Sequence, residues 1–501
     1  MKSIFKAVAL VTIFSVLTRA LGFVFRIFIS RKLGAEGLGL FQMATSILGI
    51  FMTLISSGLP LTTAKLVSKY ETSNELKKRN RVVTSALIIA LAISVICSLF
   101  ILILKSAWGI ILTDNRATQI LIILTPSIIF SSVYAIFRGA LWGQNDYFNC
   151  GLTELIEQII RFALTFILLL NVTDYFVATK NSAIAFNLTC LISAIITIFI
   201  YFKRAKLDFS RGEYRNVFKS AMPITGVRLA NSLVQPLTTL IIPTMLVVAG
   251  YTKSEAVSSF GVIMGMTFPM LFVPMAVVGS ISMVLIPTIS SMLIKNEYNA
   301  IATNIQKSLE ISIFISMLFI PLYLSVGNLI GLVLYNNVLS GVLLQISAIC
   351  VLPITLCNLT GSILNALNLE VKSFINYILG SIVLILSLFI FTPLIGINSV
   401  IVSFFLSMSL TAVLNLRKIQ KMLPNFKFNI ISISSKYSFI VAPCSLLGHF
   451  ISNILLYVFN NFFAGLIGGG IAIVATLLLC KMFKLYNIKE LLSVIRKRKK
   501  T

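Results

Sequence analysis

The chain has 501 residues, of which 58% are hydrophobic and 11% charged, and its mean hydropathy is +0.99. That composition excludes a soluble globular protein, and the absence of alternating ten-residue segments excludes a transmembrane barrel. The net charge of +26, from 41 Lys+Arg against 15 Asp+Glu, would suit a nucleic-acid binder, but its placement along the chain argues against nucleic acid and for a membrane topology signal.

A helix needs about 20 residues to cross a hydrocarbon core of about 30 Å. Apolar runs of that length predict an all-α polytopic membrane protein with fourteen spans, at 7–30, 38–64, 82–104, 118–137, 152–171, 183–202, 220–248, 256–290, 308–333, 342–364, 373–392, 398–416, 437–458 and 464–480. With both termini in the cytoplasm, 31 basic residues fall in cytoplasmic segments and six (Arg31, Lys32, Lys105, Arg116, Lys180 and Lys253) in outer ones. This asymmetry obeys the positive-inside rule and supports both the span count and the orientation. Residues 1–30 carry a basic start and an apolar run but no small-residue cleavage site, so the first span is expected to remain as an anchor.

Span 1 contains Thr18-Arg19-Ala20-Leu21-Gly22-Phe23-Val24-Phe25-Arg26 and leads into Ser30-Arg31-Lys32-Leu33-Gly34-Ala35-Glu36-Gly37-Leu38-Gly39. Span 2 ends at Gly58-Leu59-Pro60, before the basic loop with Lys77-Lys78-Arg79. Span 4 leads to a tight turn over Arg138–Asp146. Span 5 opens with Glu154, Glu157 and Arg161, whose spacings of three and four place them on one helical face. The longest polar gap, 203–219, is too short for a soluble domain. Span 7 begins Met222-Pro223-Ile224-Thr225-Gly226-Val227-Arg228, and span 8 holds Gly265, Pro269, Pro274 and Gly279, residue types that bend or break membrane helices. Gly22, Pro223, Gly226, Pro269 and Pro274 are the candidate hinges.

The chain repeats itself. Gly58–Leu66 after span 2 resembles Leu285–Leu293 after span 8, Gly139–Asn149 resembles the stretch from Gly361 to Asn368, and Arg19 has a rough counterpart in Arg228. Six spans per repeat predict parallel lobes related by an axis along the membrane normal. The expected domains are an N-terminal six-helix lobe at 1–219, a C-terminal six-helix lobe at 220–436, and two extra helices with a basic cytoplasmic tail at 437–501.

Little here suits an enzyme. The single histidine, His449, has no Asp or Glu near it in sequence and forms no Cys/His cluster, the seven cysteines form no CxxC, and no phosphate-binding loop is present. No catalytic residue, metal or cofactor is expected. The unusual feature is four arginines inside spans: Arg19, Arg26, Arg161 and Arg228. A charge at the bilayer centre costs about 2.5–3.5 kcal/mol on insertion scales. Arg161 can pair with Glu157 and Arg26 can reach the outer interface, but four arginines in one bundle are better explained by a hydrated cavity, and guanidinium forks suit phosphate oxygens. Arg19, Arg26, Arg161 and Arg228, with Glu157, are therefore the candidate substrate-binding residues.

The stretch from Thr18 to Arg26, its continuation through Ser30–Met43, and Ser57-Gly58-Leu59-Pro60, Glu157–Arg161, Ala221–Ile224, Phe260–Met266 and Leu285–Ser290 resemble the stage V sporulation protein B family of the multidrug/oligosaccharidyl-lipid/polysaccharide exporter superfamily. The resemblance covers the first 300 residues; later spans agree in length and hydropathy. It implies two six-helix lobes with alternating access between them, and kinship with lipid II flippases of the MurJ type. Those relatives also carry span-1 arginines. Arg19 sits at the matching place before Leu21-Gly22-Phe23, while Arg26 lies one residue later than their second arginine. The implied function is translocation of an undecaprenyl-pyrophosphate-linked peptidoglycan precursor across the bacterial cytoplasmic membrane for spore cortex synthesis. The implied partners are that anionic lipid-linked sugar, membrane lipid and cell-wall synthases. The alternatives are a polysaccharide or teichoic-type precursor flippase, a cation-coupled drug exporter (disfavoured by the lack of a carboxylate cluster inside the spans), and a non-transporting scaffold for wall synthases.

Overall fold

Each of the fourteen predicted spans falls on helix, continuous or broken, in the computed structural model, which describes residues 2–210, 212–424, 426 and 428–483. The predicted basic tail from residue 484 onward lies outside the described residues. Among the described residues, ten helices are long and apolar enough to cross a membrane, or eleven if the pair bent by 41° at Thr125 is one span. The shortfall from fourteen has local causes. One stretch, Ile13–Thr72, holds spans 1 and 2; span 5 carries three charges; and span 7 breaks at Leu233. Two compact units are present, Met1–Gly261 and Val262–Thr501.

The first unit opens with α1 (Lys2–Ser56), in which a single residue, Gly34, leaves helical geometry, at φ 67° and ψ −175°. An outer loop was expected between spans 1 and 2; the chain instead turns on this one residue. Only glycine enters that region of backbone space without strain. The glycines that follow have distinct tasks. A Cβ on Gly37 would stand 2.6 Å from the Thr179 hydroxyl, one on Gly39 2.2 Å from the Val257 carbonyl oxygen, and one on Gly261 2.0 Å from the Ala35 carbonyl oxygen. Small residues thus let α1 touch its neighbours backbone to backbone, the usual means of tight packing in membranes.

A break at Ser57 leads to α2 (Gly58–Thr72), followed by α3 (Leu76–Ile103), α4 (Lys105–Ile111), α5 (Asn115–Leu124), α6 (Pro126–Gly143), α7 (Tyr147–Leu168), α8 (Tyr175–Phe202), α9 (Tyr214–Ser232), α10 (Val234–Val248) and α11 (Lys253–Phe260). Near the α1 kink, Arg116 ties four elements. It bonds Asp114 (2.6 Å), Glu36 (2.5 Å) and the Tyr175 hydroxyl (2.7 Å), and Ser254 of α11 donates to the same Glu36 oxygen at 2.6 Å. Burial would raise the Asp114 carboxyl, but hydrogen bonds and charge from Arg116 outweigh it and hold the group below the usual carboxylate range.

At the opposite end, α2 is wedged between α6 and α9. A Cβ on Gly58 would lie 2.1 Å from the Thr225 hydroxyl, one on Gly139 2.5 Å from the Pro60 carbonyl oxygen, and one on Gly143 2.5 Å from the Ala64 carbonyl oxygen. The polar gap after α8 is pinned to α3. Asp208 accepts from Ser210 and from Arg81 Nε (3.0 Å), and those bonds, Ser210 first, hold its carboxyl at about 2.

A π-helical turn, Gly261–Thr267, leads to the second unit: α12 (Phe268–Leu271), α13 (Val273–Ile294), α14 (Tyr298–Tyr335), α15 (Val338–Ser347), α16 (Val351–Ala366), α17 (Glu370–Ile395), α18 (Asn398–Met422), α19 (Ile430–Leu455) and α20 (Asn461–Met482). The 38-residue α14 is its spine, packing on α15, α16, α19 and α20. Asn415 joins three helices, accepting from Asn376 (2.9 Å) and donating to Thr360 (3.2 Å). His449 engages the Ser325 carbonyl and Asn453, each at 3.1 Å, so both ring nitrogens serve packing of α19.

The internal repeat is legible in the backbone. Asn74 and Asn296, 222 residues apart, and Asn145 and Asn368, 223 apart, all adopt left-handed conformations at helix ends. Asparagine tolerates that conformation better than other L-residues except glycine. The Arg19–Arg228 correspondence, at 209, does not share this register; the sequence match was too short to fix it.

Two outcomes are expected. Gly34→Ala destabilises the purified protein by about 1–3 kcal/mol through backbone strain alone, since no heavy atom lies within 4 Å of the added methyl; Gly470→Ala, equally open but helical, serves as the control in thermal unfolding. Gly139→Val costs about 1–3 kcal/mol for a different reason, overpacking against Pro60, and separates α2 from α6 measurably in a double-label distance experiment.

Candidate functional site

The first unit encloses a cavity of about 500 Å³ lined by α1, α7 and the α9–α10 break. Two of the four in-span arginines enter it, Arg26 and Arg161. An aromatic seam sets their relative depth. Phe28 meets Phe162 at 5.4 Å and Phe166 at 5.7 Å, and Phe25 meets Phe162 at 6.2 Å, so α1 and α7 cannot slide past one another without unstacking these rings. Toward the N-terminus, Phe14 occupies the space a side chain on Gly151 would need.

Arg161 is preorganised. Its guanidinium pairs with Glu157 one turn earlier and lies over the Phe186 ring, 5.3 Å from the centroid. Its Nε is buried without a hydrogen-bond partner. Such an N–H, in a group that is always protonated, is a donor awaiting an acceptor. Arg26 is exposed to the cavity, and its carbonyl accepts from Ser30 at 2.7 Å.

Amides and hydroxyls complete the lining. Gln42, Gln158 and Gln235 face the cavity together with Thr45, Ser46, Thr53 and Ser232. Thr45 and Thr53 spend their protons on carbonyls one turn back, and Ser46 accepts from Thr239 at 3.0 Å. The surface is therefore cationic at two points and rich in neutral donors and acceptors elsewhere. It can hold an oxyanion with a hydroxyl-bearing body, because arginine forks take phosphate oxygens and amides match sugar hydroxyls.

The other sequence-derived candidates fall in different places. Arg19 lies seven residues, two helical turns, before Arg26 on the same face of α1, with Gly22 between them; it is exposed and has no ion-pair or hydrogen-bond partner among the described residues. Gly22 lines the cavity with open space around it. Arg228 is not in this cavity. It lines a second one, of about 440 Å³, with Ser57, Tyr134, Arg138 and Trp142. Of the candidate hinges, Gly22 lies in the continuous part of α1 before the Gly34 kink and Pro223 and Gly226 inside unbroken α9, whereas Pro269 and Pro274 occupy the first turns of α12 and α13, beside the π-helical turn and the break at Phe272. The three cavity glutamines were not singled out in the sequence. Gln158 could have been, since it precedes Arg161 by three and shares its face; Gln42 and Gln235 carry no such local signal.

Residues 4–293, more than half of the chain, match the family described as polysaccharide biosynthesis protein. The chain is 24% identical over 422 residues to stage V sporulation protein B of Bacillus subtilis (strain 168), covering 81% of this chain and 82% of the relative. It is 19% identical over 411 residues to lipid II flippase MurJ of the same organism, covering 74% of each. Among solved structures, lipid II flippase MurJ in an inward closed conformation superposes with TM-score 0.68 at 16% identity, over 95% of this chain and 98% of that one. An inward-facing multidrug resistance MATE family transporter of the MOP superfamily gives 0.69 at 13% identity, over 82% and 95%. These structural likenesses establish the fold as that of MOP-superfamily transporters, in a multi-pass membrane protein. The chain belongs to the polysaccharide biosynthesis protein family.

Proposed function

We propose that this protein is a flippase that moves an undecaprenyl-pyrophosphate-linked, lipid II-like peptidoglycan precursor across the bacterial cytoplasmic membrane by alternating access, with both termini in the cytoplasm. The observation that carries the reading is the cavity of the first unit, which Arg26 and Arg161 line together with three glutamine amides. The oxygens of a pyrophosphate suit two guanidinium forks brought to one cavity. The glycan body meets Gln42, Gln158 and Gln235, while the isoprenoid stays in lipid.

Glu157 tunes the site rather than binding substrate. It shares its charge with Arg161 and keeps the cavity from holding the pyrophosphate too tightly for release. Arg19, further along the same face of α1, extends the cationic track. Flexing at Gly22, Pro223, Gly226, Pro269 and Pro274 supplies the conformational change, and broken helices in span 8 are the type of element on which transporter sites and motions are built. Cell-wall synthases are the natural consumers of the product, and the sporulation protein similarity supports a role in spore cortex synthesis. The family description also supports a polysaccharide-precursor flippase, which would use the same pyrophosphate contacts with a different glycan.

Proteoliposomes carrying the purified protein and fluorescent lipid II test this reading. Arg161→Gln is expected to lower translocation at least tenfold, corresponding to the loss of one charge-assisted contact, about 1.5–3 kcal/mol, and Arg26→Gln to do the same. Wild-type rates in correctly folded Arg26 and Arg161 alanine variants would overturn the cavity assignment. In the cell, deletion is expected to abolish heat-resistant spores while leaving vegetative growth normal; vegetative lethality would instead assign the protein to general wall synthesis.

A further inference from the structure

The second cavity, where Arg228 lies, is assigned no role above. Its walls are the Ser57 break, the first two turns of α2, α6 from Ser131 to Trp142 and the face of α9 that bears Arg228. It sits at the end of the first unit that carries the basic loops 65–81 and 203–219.

Two features make it a built site. Ser57 is only 6% exposed, lines the cavity, and its hydroxyl has no hydrogen-bond partner and does not cap α2. A buried hydroxyl without a partner costs about 1–3 kcal/mol, so its place on a cavity wall indicates a missing acceptor-rich group. The Tyr134 hydroxyl, on another wall, is buried beside Glu157. Two arginines supply the charge. Arg138 is held by Glu154, with its guanidinium 6.0 Å from the Tyr134 ring centroid, while Arg228 has no carboxylate or hydrogen-bond partner among the described residues.

The glycine contacts explain why the cavity persists. Gly58 and Gly139 bring α9 and α6 into backbone contact with α2 around Ser57, so the break cannot collapse to bury its own hydroxyl against a neighbour. Irregular backbone at membrane depth is tolerated where it lines a hydrated cavity.

We infer that this cavity is a loading site for a phosphate-bearing headgroup, occupied before the Arg26–Arg161 cavity. It rests on the proposed lipid-linked pyrophosphate substrate. Arg228 and Arg138 take the phosphate oxygens, and Ser57 donates to a remaining lone pair. The chemical class is a phosphate or pyrophosphate monoester, whether a lipid headgroup or free in water. Arg138 of this cavity pairs with Glu154 and Arg161 of the other with Glu157, both glutamates lying on α7, one turn apart. The headgroup therefore moves along α7 from one cation to the next, with the glutamates reclaiming each arginine as it leaves.

The test is protection of Ser57→Cys, an isosteric change, from a methanethiosulfonate reagent in the full chain reconstituted in vesicles, measured above the wild-type background. Undecaprenyl pyrophosphate is expected to slow labelling at least fivefold and undecaprenol not at all. Slowing by inorganic pyrophosphate as well identifies a site that accepts the free ion; protection by the lipid form alone identifies a lipid-headgroup site. Adding Arg228→Gln should raise the protecting concentration about tenfold. Adding Arg161→Gln should leave protection intact while translocation fails, which separates this site from the proposed function. Equal protection by undecaprenol, no protection by undecaprenyl pyrophosphate, or unchanged protection in Arg228→Gln would overturn the inference.

Discussion

Backbone contact at the α1 kink is the constraint on which the first unit depends. Gly34 turns the helix in one residue, and Gly37 and Gly39 then press α1 against α8 and α11 without intervening side chains. Glu36, the one charged residue in that stretch, is locked by Arg116 and Ser254. Because membranes provide no hydrophobic drive between helices, such contacts and buried polar bonds must hold the bundle. With α1 fixed at this point, its inward face carries Arg26, Gly22 and Arg19 in line toward the other end of the unit.

The arginines show how the same residue type can serve different ends. Arg116 and Arg79 are structural, each satisfied by carboxylates outside the apolar core. Arg161 is half satisfied: Glu157 and Phe186 orient it, and its Nε is left open. Arg228 is left wholly open among the described residues. A graded series of this kind suits transport better than tight binding. Differential affinity along a path moves a ligand, whereas uniform affinity would trap it.

The second unit contrasts with the first. Its helices repeat the same breaks and asparagine-terminated ends 222–223 residues on, yet its buried polar contacts, such as Asn415 with Asn376 and Thr360, are neutral and internally satisfied. The two extra helices α19 and α20 pack on each other through Gly448, Gly468 and Ala472 and on α14 through Gly448, Gly465 and Gly469, and His449 bonds the Ser325 carbonyl of α14. Both charged cavities lie in the first compact unit.

Much was legible in the residues alone. Span positions follow from hydropathy, because an apolar run of about 20 residues has few fates other than crossing a bilayer. The Glu157–Arg161 pair follows from helical spacing, since neighbours four apart share a face whatever surrounds them. The motif around Gly34 to Gly39 stood out, although its purpose did not. What only the tertiary structure decided is which arginines meet. Arg26 and Arg161 share a cavity because the Phe28–Phe162–Phe166 seam sets α1 against α7, and Arg228 is diverted to a second cavity because Gly58 draws α9 onto α2. Periodicity assigns a residue to a face of its own helix, but the partner of that face is set by long-range packing, which no local spacing encodes.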